Sequence, residues 1–209
     1  MFIEQIVLGM LQNNCWILGD PETRECVLFD PGTNFEKIAA FLEEKQLKVK
    51  VILLTHGHFD HVMAARLVQD HTGAQVMICR PDEHMLAPDQ VLHRGYMRQE
   101  YQPPRIDRLL YDGDRFTCGS LEFQVMRTPG HTSGSCCVLC GDVMVSGDTL
   151  FEGCCGRWDL GGDERDMMIS LRRLHNLPGD YKVLPGHGPA TMLSRERATN
   201  PYMKAAVEA

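Results

Sequence analysis

The chain lacks any run of basic residues. Its 21 Lys and Arg face 28 Asp and Glu, for a formal charge of −7 and a pI near 5.7. That balance excludes the basic stripe a nucleic-acid surface normally needs, so no nucleic-acid partner is expected. Long apolar runs are also missing. No stretch approaches the ~20 residues needed to cross a bilayer, so no membrane partner is expected either. The first nine residues carry Glu4 and show no basic start, no apolar stretch and no small-residue cleavage site. We therefore expect no signal peptide and a cytoplasmic protein. A disulfide framework is absent as well: nine cysteines are an odd number at irregular spacings, and free thiols are the expectation.

What is present is an ordinary globular balance, 44% apolar and 23% charged over 209 residues. No repeat or low-complexity segment divides it, so residues 1–209 are expected to form a single domain. Strand-like runs fall at 2–8, 15–18 and 26–29, followed by the turn Asp30-Pro31-Gly32. Phe35, Ile38, Ala39 and Leu42 recur at helical spacing over 34–45, and 49–54 reads as an interior strand. A second helix is expected over 61–70, with Gly73 as its cap. The second half repeats the alternation, with strands at 121–126, 136–139, 143–146 and 182–184. Asp163 can cap a helix that buries Met167, Leu171 and Leu174. Strand-rich halves with helices outside imply an α/β fold of two packed sheets. The segment 81–111 has weak periodicity and reads as a connecting arm or a lid. Cys137 and Cys140 resemble a zinc knuckle in spacing, but on a strand positions three apart face opposite ways, so a buried strand is the better reading.

The informative motif is Thr55-His56-Gly57-His58-Phe59-Asp60-His61, which begins where the apolar run 51–54 ends. Strand exits are where open α/β sheets place ligands. A loop leading into a helix could aim His56 and His58 at one point, and Asp60 and His61 at another. Imidazole and carboxylate suit zinc, iron or manganese. Three later segments repeat the placement. His131 lies in Thr128-Pro129-Gly130-His131, Asp148 in Ser146-Gly147-Asp148-Thr149, and His187 in Leu184-Pro185-Gly186-His187. Each follows a strand and has Gly or Pro beside it. A single such histidine is better read as a hydrogen-bonded loop residue; together they point to a metal site.

These motifs resemble the metallo-β-lactamase superfamily through nearly the whole chain. The resemblance implies an αββα sandwich, two mixed β-sheets flanked by helices, with the metal site along one sheet edge. It implies that His56, His58 and His131 hold one divalent ion, that Asp60, His61 and His187 hold a second, and that Asp148 bridges them. Zinc is expected first, with iron or manganese also accommodated. Two such ions ~3.5–4 Å apart can share a hydroxide and make it a nucleophile at neutral pH. Asp60 is then expected to act catalytically by holding that hydroxide in line.

Asn14-Cys15-Trp16, Asp30-Pro31-Gly32, Gly153-Cys154-Cys155-Gly156-Arg157-Trp158-Asp159 and Glu196-Arg197-Ala198-Thr199-Asn200-Pro201-Tyr202 narrow the resemblance. They are similar to short bacterial glyoxalase II-like hydrolases without a helical C-terminal glutathione-binding domain. That branch implies hydrolysis of a small-molecule thioester, with S-lactoylglutathione as reference. A thiol leaves with little acid help, because its pKa is near ~8.5. Arg157 either binds a substrate carboxylate or pairs with Asp159 to shape its loop. The alternative reading is a persulfide dioxygenase-like oxidoreductase with one iron, which shares the Gly156-to-Asp159 pattern. Its last histidine motif reads differently from Pro185-Gly186-His187-Gly188-Pro189, which favours the hydrolase with two metals. His71, His84, His93 and His175 match no family motif and are read as surface or helix histidines.

Overall fold

The computed structural model describes residues 1–92 and 101–208. The chain opens with three strands, β1 (Phe2–Leu8), β2 (Asn13–Gly19) and β3 (Glu25–Phe29), then helix α1 (Phe35–Glu44) and strand β4 (Lys48–Leu54). Two short helices follow, α2 (Phe59–Val62) and α3 (Ala65–Thr72), and then β5 (Gln75–Cys79). A 3-10 helix at Arg80–Leu86 and α4 (Pro88–Leu92) lead towards β6 (Ile106–Leu110). The second half comprises β7 (Arg115–Cys118), β8 (Leu121–Arg127), β9 (Cys136–Cys140), β10 (Val143–Gly147), the hairpin β11 (Leu150–Phe151) and β12 (Cys154–Cys155), and α5 (Glu164–His175). It closes with β13 (Lys182–Pro185), β14 (Thr191–Met192), α6 (Leu193–Thr199) and α7 (Pro201–Glu208).

Two six-stranded sheets result, ordered β1-β2-β3-β4-β5-β6 and β14-β13-β10-β9-β8-β7. Both are mixed. In the first, β1 to β3 pair antiparallel and β3 to β6 parallel; in the second, β10 and β13 are parallel and the rest antiparallel.

Strand alternation assigns each side chain to a layer. On β4, Val51 and Leu53 enter the interior between the sheets, while Ile52 and Leu54 face the helices outside. Phe29, Phe116 and Phe123 fill that interior, the last two stacked at 5.0 Å. α1 and α3 cover the outer face of the first sheet, and α5 and α7 cover the second. This is the expected αββα sandwich. Cys137 falls in the outer cluster and Cys140 in the inner one, as their spacing requires. All nine cysteines are free thiols. Among the described residues, no helix is long and apolar enough to cross a membrane.

Two expectations change. The helix over 61–70 is broken into α2 and α3, because the Ala64 N–H leaves the helical ladder for the carbonyls of Gly32 (2.7 Å) and Pro31 (3.0 Å). Gly32 permits that approach, since a Cβ there would lie 1.9 Å from the Asp60 carbonyl oxygen. Gly73 does end α3 in the left-handed region, at φ 70°. The segment 81–111 is only in part a connecting arm. Asp82 is completely buried, the Tyr101 hydroxyl donates to the Leu86 carbonyl at 3.0 Å, and β6 is an edge strand of the first sheet. The lid reading of 93–100, and His93 with it, lies outside the described residues.

Candidate metal centre

Each strand exit named by the sequence arrives at one place. β4 delivers His56 and His58, and α2 begins one residue later to carry Asp60 and His61. From the second sheet, the β8–β9 loop brings His131, β10 ends before Asp148, and β13 ends before His187. The sheets are tied here by backbone: Cys136 N–H donates to Thr55 O at 3.0 Å and Asn14 N–H to Gly186 O at 2.7 Å. Gly186 has to be a glycine, because a Cβ would sit 2.1 Å from Asp148 Oδ1.

All seven predicted residues are brought together. The imidazole nitrogens of His56, His58 and His131 lie within 4.8 Å of one another, as do the donor atoms of Asp60, His61 and His187. His58 Nδ1 and His131 Nε2 face each other at 2.8 Å, and His61 Nε2 and His187 Nε2 at 3.2 Å. Asp148 lies between the groups, 3.5 Å from each of His61, His131 and His187. Asp60 Oδ2 is 3.3 Å from His187 Nε2 and 3.6 Å from His61 Nε2.

The opposite ring nitrogens are held from behind, which fixes the orientation of a ligating histidine. His131 Nδ1 donates to the Arg157 carbonyl (2.5 Å), His187 Nδ1 to the Leu11 carbonyl (3.0 Å), and His61 Nδ1 meets Asp30 Oδ2 at 3.0 Å. Asp30 was read from the sequence as part of a turn and of a motif that narrows the resemblance, with no role in the site. It is buried, with φ 52°, and accepts from Thr55 N–H at 2.7 Å and Thr55 Oγ1 at 2.6 Å. A second overlooked carboxylate is Asp82, which accepts from Gly57 N–H (3.0 Å), Thr132 Oγ1 (2.7 Å) and Gly134 N–H (2.6 Å). It clamps the His56–His58 loop to the His131 loop. The only sequence signals were Asp-Pro-Gly at 30 and the acidic pair Asp82-Glu83 shortly after β5, neither of which marks a site by pattern.

Electrostatics polarise the cluster. Burial, with neighbouring His61, His131 and His58, drives the His56 imidazole well below its ordinary pKa. Burial likewise lowers His131, against Asp148 and the Arg157 carbonyl. Burial would also depress His61, but Asp148, Asp60 and Asp30 surround it and raise it to about 10. Burial pushes the Asp60 carboxyl up, yet His61 and His187 outweigh it and hold it below the usual carboxylate range. His187 rises despite its burial, through Asp60 and Asp148. Five imidazoles packed this tightly repel one another when charged and leave polar atoms stranded when neutral. His56 Nε2 and Asp148 Oδ1 are buried without a hydrogen bond. Buried polar atoms are rarely left so. A set of imidazole and carboxylate donors within 4.8 Å of one another, with buried atoms left without a hydrogen bond, fits divalent metal ions.

Arg157 is placed differently. Its guanidinium is exposed and pairs in bidentate fashion with Asp159, at 2.9 and 2.6 Å. It touches the cluster only through its backbone carbonyl.

An αββα sandwich that gathers imidazoles and carboxylates where its two sheets meet defines a class of metal-binding proteins. Residues 8–187 match the model of the metallo-beta-lactamase superfamily, and the chain belongs to that family, whose members are generally hydrolytic enzymes. It is 32% identical to the hydroxyacylglutathione hydrolase GloC of Haemophilus influenzae, over 97% of this chain and 98% of that protein. Among solved structures it is similar to the BLEG-1 B3 metallo-beta-lactamase, with a TM-score of 0.90 and 35% identity over 97% of this chain and 99% of that one. It is also similar to TTHA1623 in a di-iron-bound form, with a TM-score of 0.85 and 36% identity over 95% of this chain and 99% of that one.

Proposed function

We propose that the chain is a thioester hydrolase of the hydroxyacylglutathione type, working with two divalent metal ions. The observation that carries this is the pair of donor sets, His56, His58, His131 and Asp60, His61, His187, with Asp148 between them and His56 Nε2 and Asp148 Oδ1 buried without a hydrogen bond. Those residues would hold the ions. Zinc is the first expectation; similarity to a protein crystallised with two irons supports iron equally. Similarity to GloC along almost the whole of both chains supports the thioester.

Bound divalent ions supply Lewis acidity, lowering the pKa of a water and polarising a carbonyl. The remaining work belongs to the chain. Asp60, ionised and fixed by His61 and His187, accepts a hydrogen bond from the attacking water and keeps its lone pair aimed at the acyl carbon. The carbon–oxygen bond forms as the carbon–sulfur bond breaks. The sulfur leaves with the electron pair as thiolate, and the net products are a carboxylate, a thiol and one released proton. No serine or cysteine nucleophile is required. Arg157 would meet a substrate carboxylate by exchanging its partner Asp159.

The test is hydrolysis of S-lactoylglutathione by purified protein, with metals counted on the same sample. Turnover with nearly two metals per chain is expected. No turnover with a single iron would move the assignment to a persulfide dioxygenase, read next by oxygen uptake with glutathione persulfide. Asp148→Asn is expected to lower metal content and hydrolysis together; full activity with both metals retained would remove its bridging role.

A further inference from the structure

His187 is the most exposed of the seven donors, with a side chain 26% accessible against 14% for Asp60. The other five are buried. Its aim must therefore come from bonds to the turn that carries it, Pro185 to Gly188 at the end of β13, more than from burial of the ring.

Those bonds converge on one residue. Asn14, on β2 and only 2% exposed, donates its backbone N–H to the Gly186 carbonyl at 2.7 Å. Its side-chain Nδ2 donates to the Pro185 carbonyl at 3.0 Å and to the Gly188 carbonyl at 2.8 Å. All three N–H hydrogens of Asn14 thus end on carbonyls of a single turn, on both sides of His187. Its Oδ1 accepts from Gln5 Nε2 on β1 at 2.8 Å, which fixes the amide the right way round. Turned over, it would set its oxygen against two carbonyl oxygens and its amino group against that of Gln5. The same hairpin holds the ring itself, since His187 Nδ1 donates to the Leu11 carbonyl, and Asn13 pairs with the His187 backbone in an isolated bridge.

The other donor set has a different support. Asp82, not Asn14, clamps the His56–His58 loop to the His131 loop. The two halves of the centre are therefore held by separate residues, one from β2 and one from the 3-10 helix.

We propose that Asn14 is the positioning residue of the Asp60, His61 and His187 set. By gripping both flanks of the His187 turn it aims that imidazole, and it governs affinity for the ion held there without governing the other. The proposal rests on the two-ion reading and is independent of the substrate. Loss of a partner behind a ligand typically costs 10–100-fold in metal affinity.

The experiment titrates metal-free protein with zinc by calorimetry in the parent, His187→Ala and Asn14→Leu. The parent should take up two ions, and His187→Ala identifies which step belongs to its set. Asn14→Leu is close to Asn in size and adds no charge, but removes both amide donors. It should weaken that same step about 10–100-fold and leave the other within about twofold. Gln5→Ala, at an exposed position, frees the Asn14 amide and should weaken the same step about threefold. It carries the test if Asn14→Leu does not fold, and an unchanged step would then overturn the proposal. In a folded Asn14→Leu, equal weakening of both steps would make Asn14 a general support of the sheet edge and overturn its positioning role. Two steps both within about twofold of the parent would overturn that role and keep the two-ion reading. A parent that takes up a single ion overturns both.

Discussion

Asp82 carries its carboxylate in complete burial and holds three donors within 3.0 Å from two loops, with the Ser133 hydroxyl a fourth at 3.5 Å. Burial pushes its pKa up, against the hydrogen bonds from Thr132, Gly134 and Gly57. Truncation would strand those donors, and each buried unsatisfied group costs ~1–3 kcal/mol. Asp82→Ala is thus expected to lower the unfolding free energy by about 3 kcal/mol or more in urea titrations. It should also weaken metal retention against a chelator, since Gly57 and Thr132 each neighbour a histidine of the proposed metal site. Asp82→Asn, which keeps an acceptor, should recover part of both. Normal chelator resistance in a destabilised Asp82→Ala would make Asp82 a packing residue only. Arg157 poses the opposite case, an exposed pair with Asp159. Exposed pairs contribute little to stability, so Arg157→Ala should leave unfolding nearly unchanged and raise KM more than it lowers kcat. An unchanged KM would reduce Arg157 to a partner of Asp159. Seven donors were legible because five are histidines or an aspartate beside Gly just past a strand, and Asp60 and His61 complete the dense motif that begins at His56. Asp30 and Asp82 were not given a role, because the groups they hold, Thr55 and His61 for the one and Gly57, Thr132 and Gly134 for the other, lie on loops distant in sequence.

At the level of elements, α5 shows both a legible start and an illegible end. Asp163 caps it as the sequence indicates, accepting from Asp166 N–H at 2.9 Å. Its last turn is held by Arg173, which grips Asp112 at 2.8 and 3.1 Å and the Arg127 carbonyl at 3.0 Å. Slight burial favours the protonated Asp112, but Arg173, the Arg127 N–H and the Arg127 charge outweigh it and lower its pKa. A carboxyl whose folded pKa is depressed stabilises above its unfolded value of ~3.9, and the contribution is lost as pH falls through the folded value. Asp112→Asn should therefore cost about 0.5 kcal/mol at pH 7, a figure typical of half-exposed pairs, and close to nothing near pH 3. An equal cost at both pH values would mean that charge is not what anchors the helix end. Elements with a clear period were readable: the strands of the interior and the stripes of α1 and α5. The two-residue strands β11, β12 and β14 were not, since a strand that short has no period. The break between α2 and α3 was hidden because it depends on carbonyls at Pro31 and Gly32, thirty residues upstream.

Across the whole molecule, each proposed ion would be held from both sheets. His56 and His58 belong to the β4 side and His131 to the second sheet; Asp60 and His61 belong to the first and His187 to the second. Without ions, this edge is joined by a few direct bonds, among them Trp16 Nε1–H and Asn14 Nδ2–H to the Pro185 carbonyl, at 2.8 and 3.0 Å. The interior core holds the sheets elsewhere. Ions that bind only the folded chain stabilise it by mass action, ~4.1 kcal/mol at a thousandfold excess over Kd. For a chain of this size each kcal/mol moves Tm by ~2–4 °C, so chelation should lower Tm by roughly 8–16 °C for a site of that occupancy. The loss should be local as well. Amide exchange should accelerate at Asn14, Cys136 and Gly186, whose N–H groups bridge or border the centre, and stay slow at Val27 and Ile52 in the middle of the first sheet. Uniform acceleration would mean that the ions stabilise the fold as a whole without stapling its edge, and an unchanged Tm would mean that the sandwich stands without them.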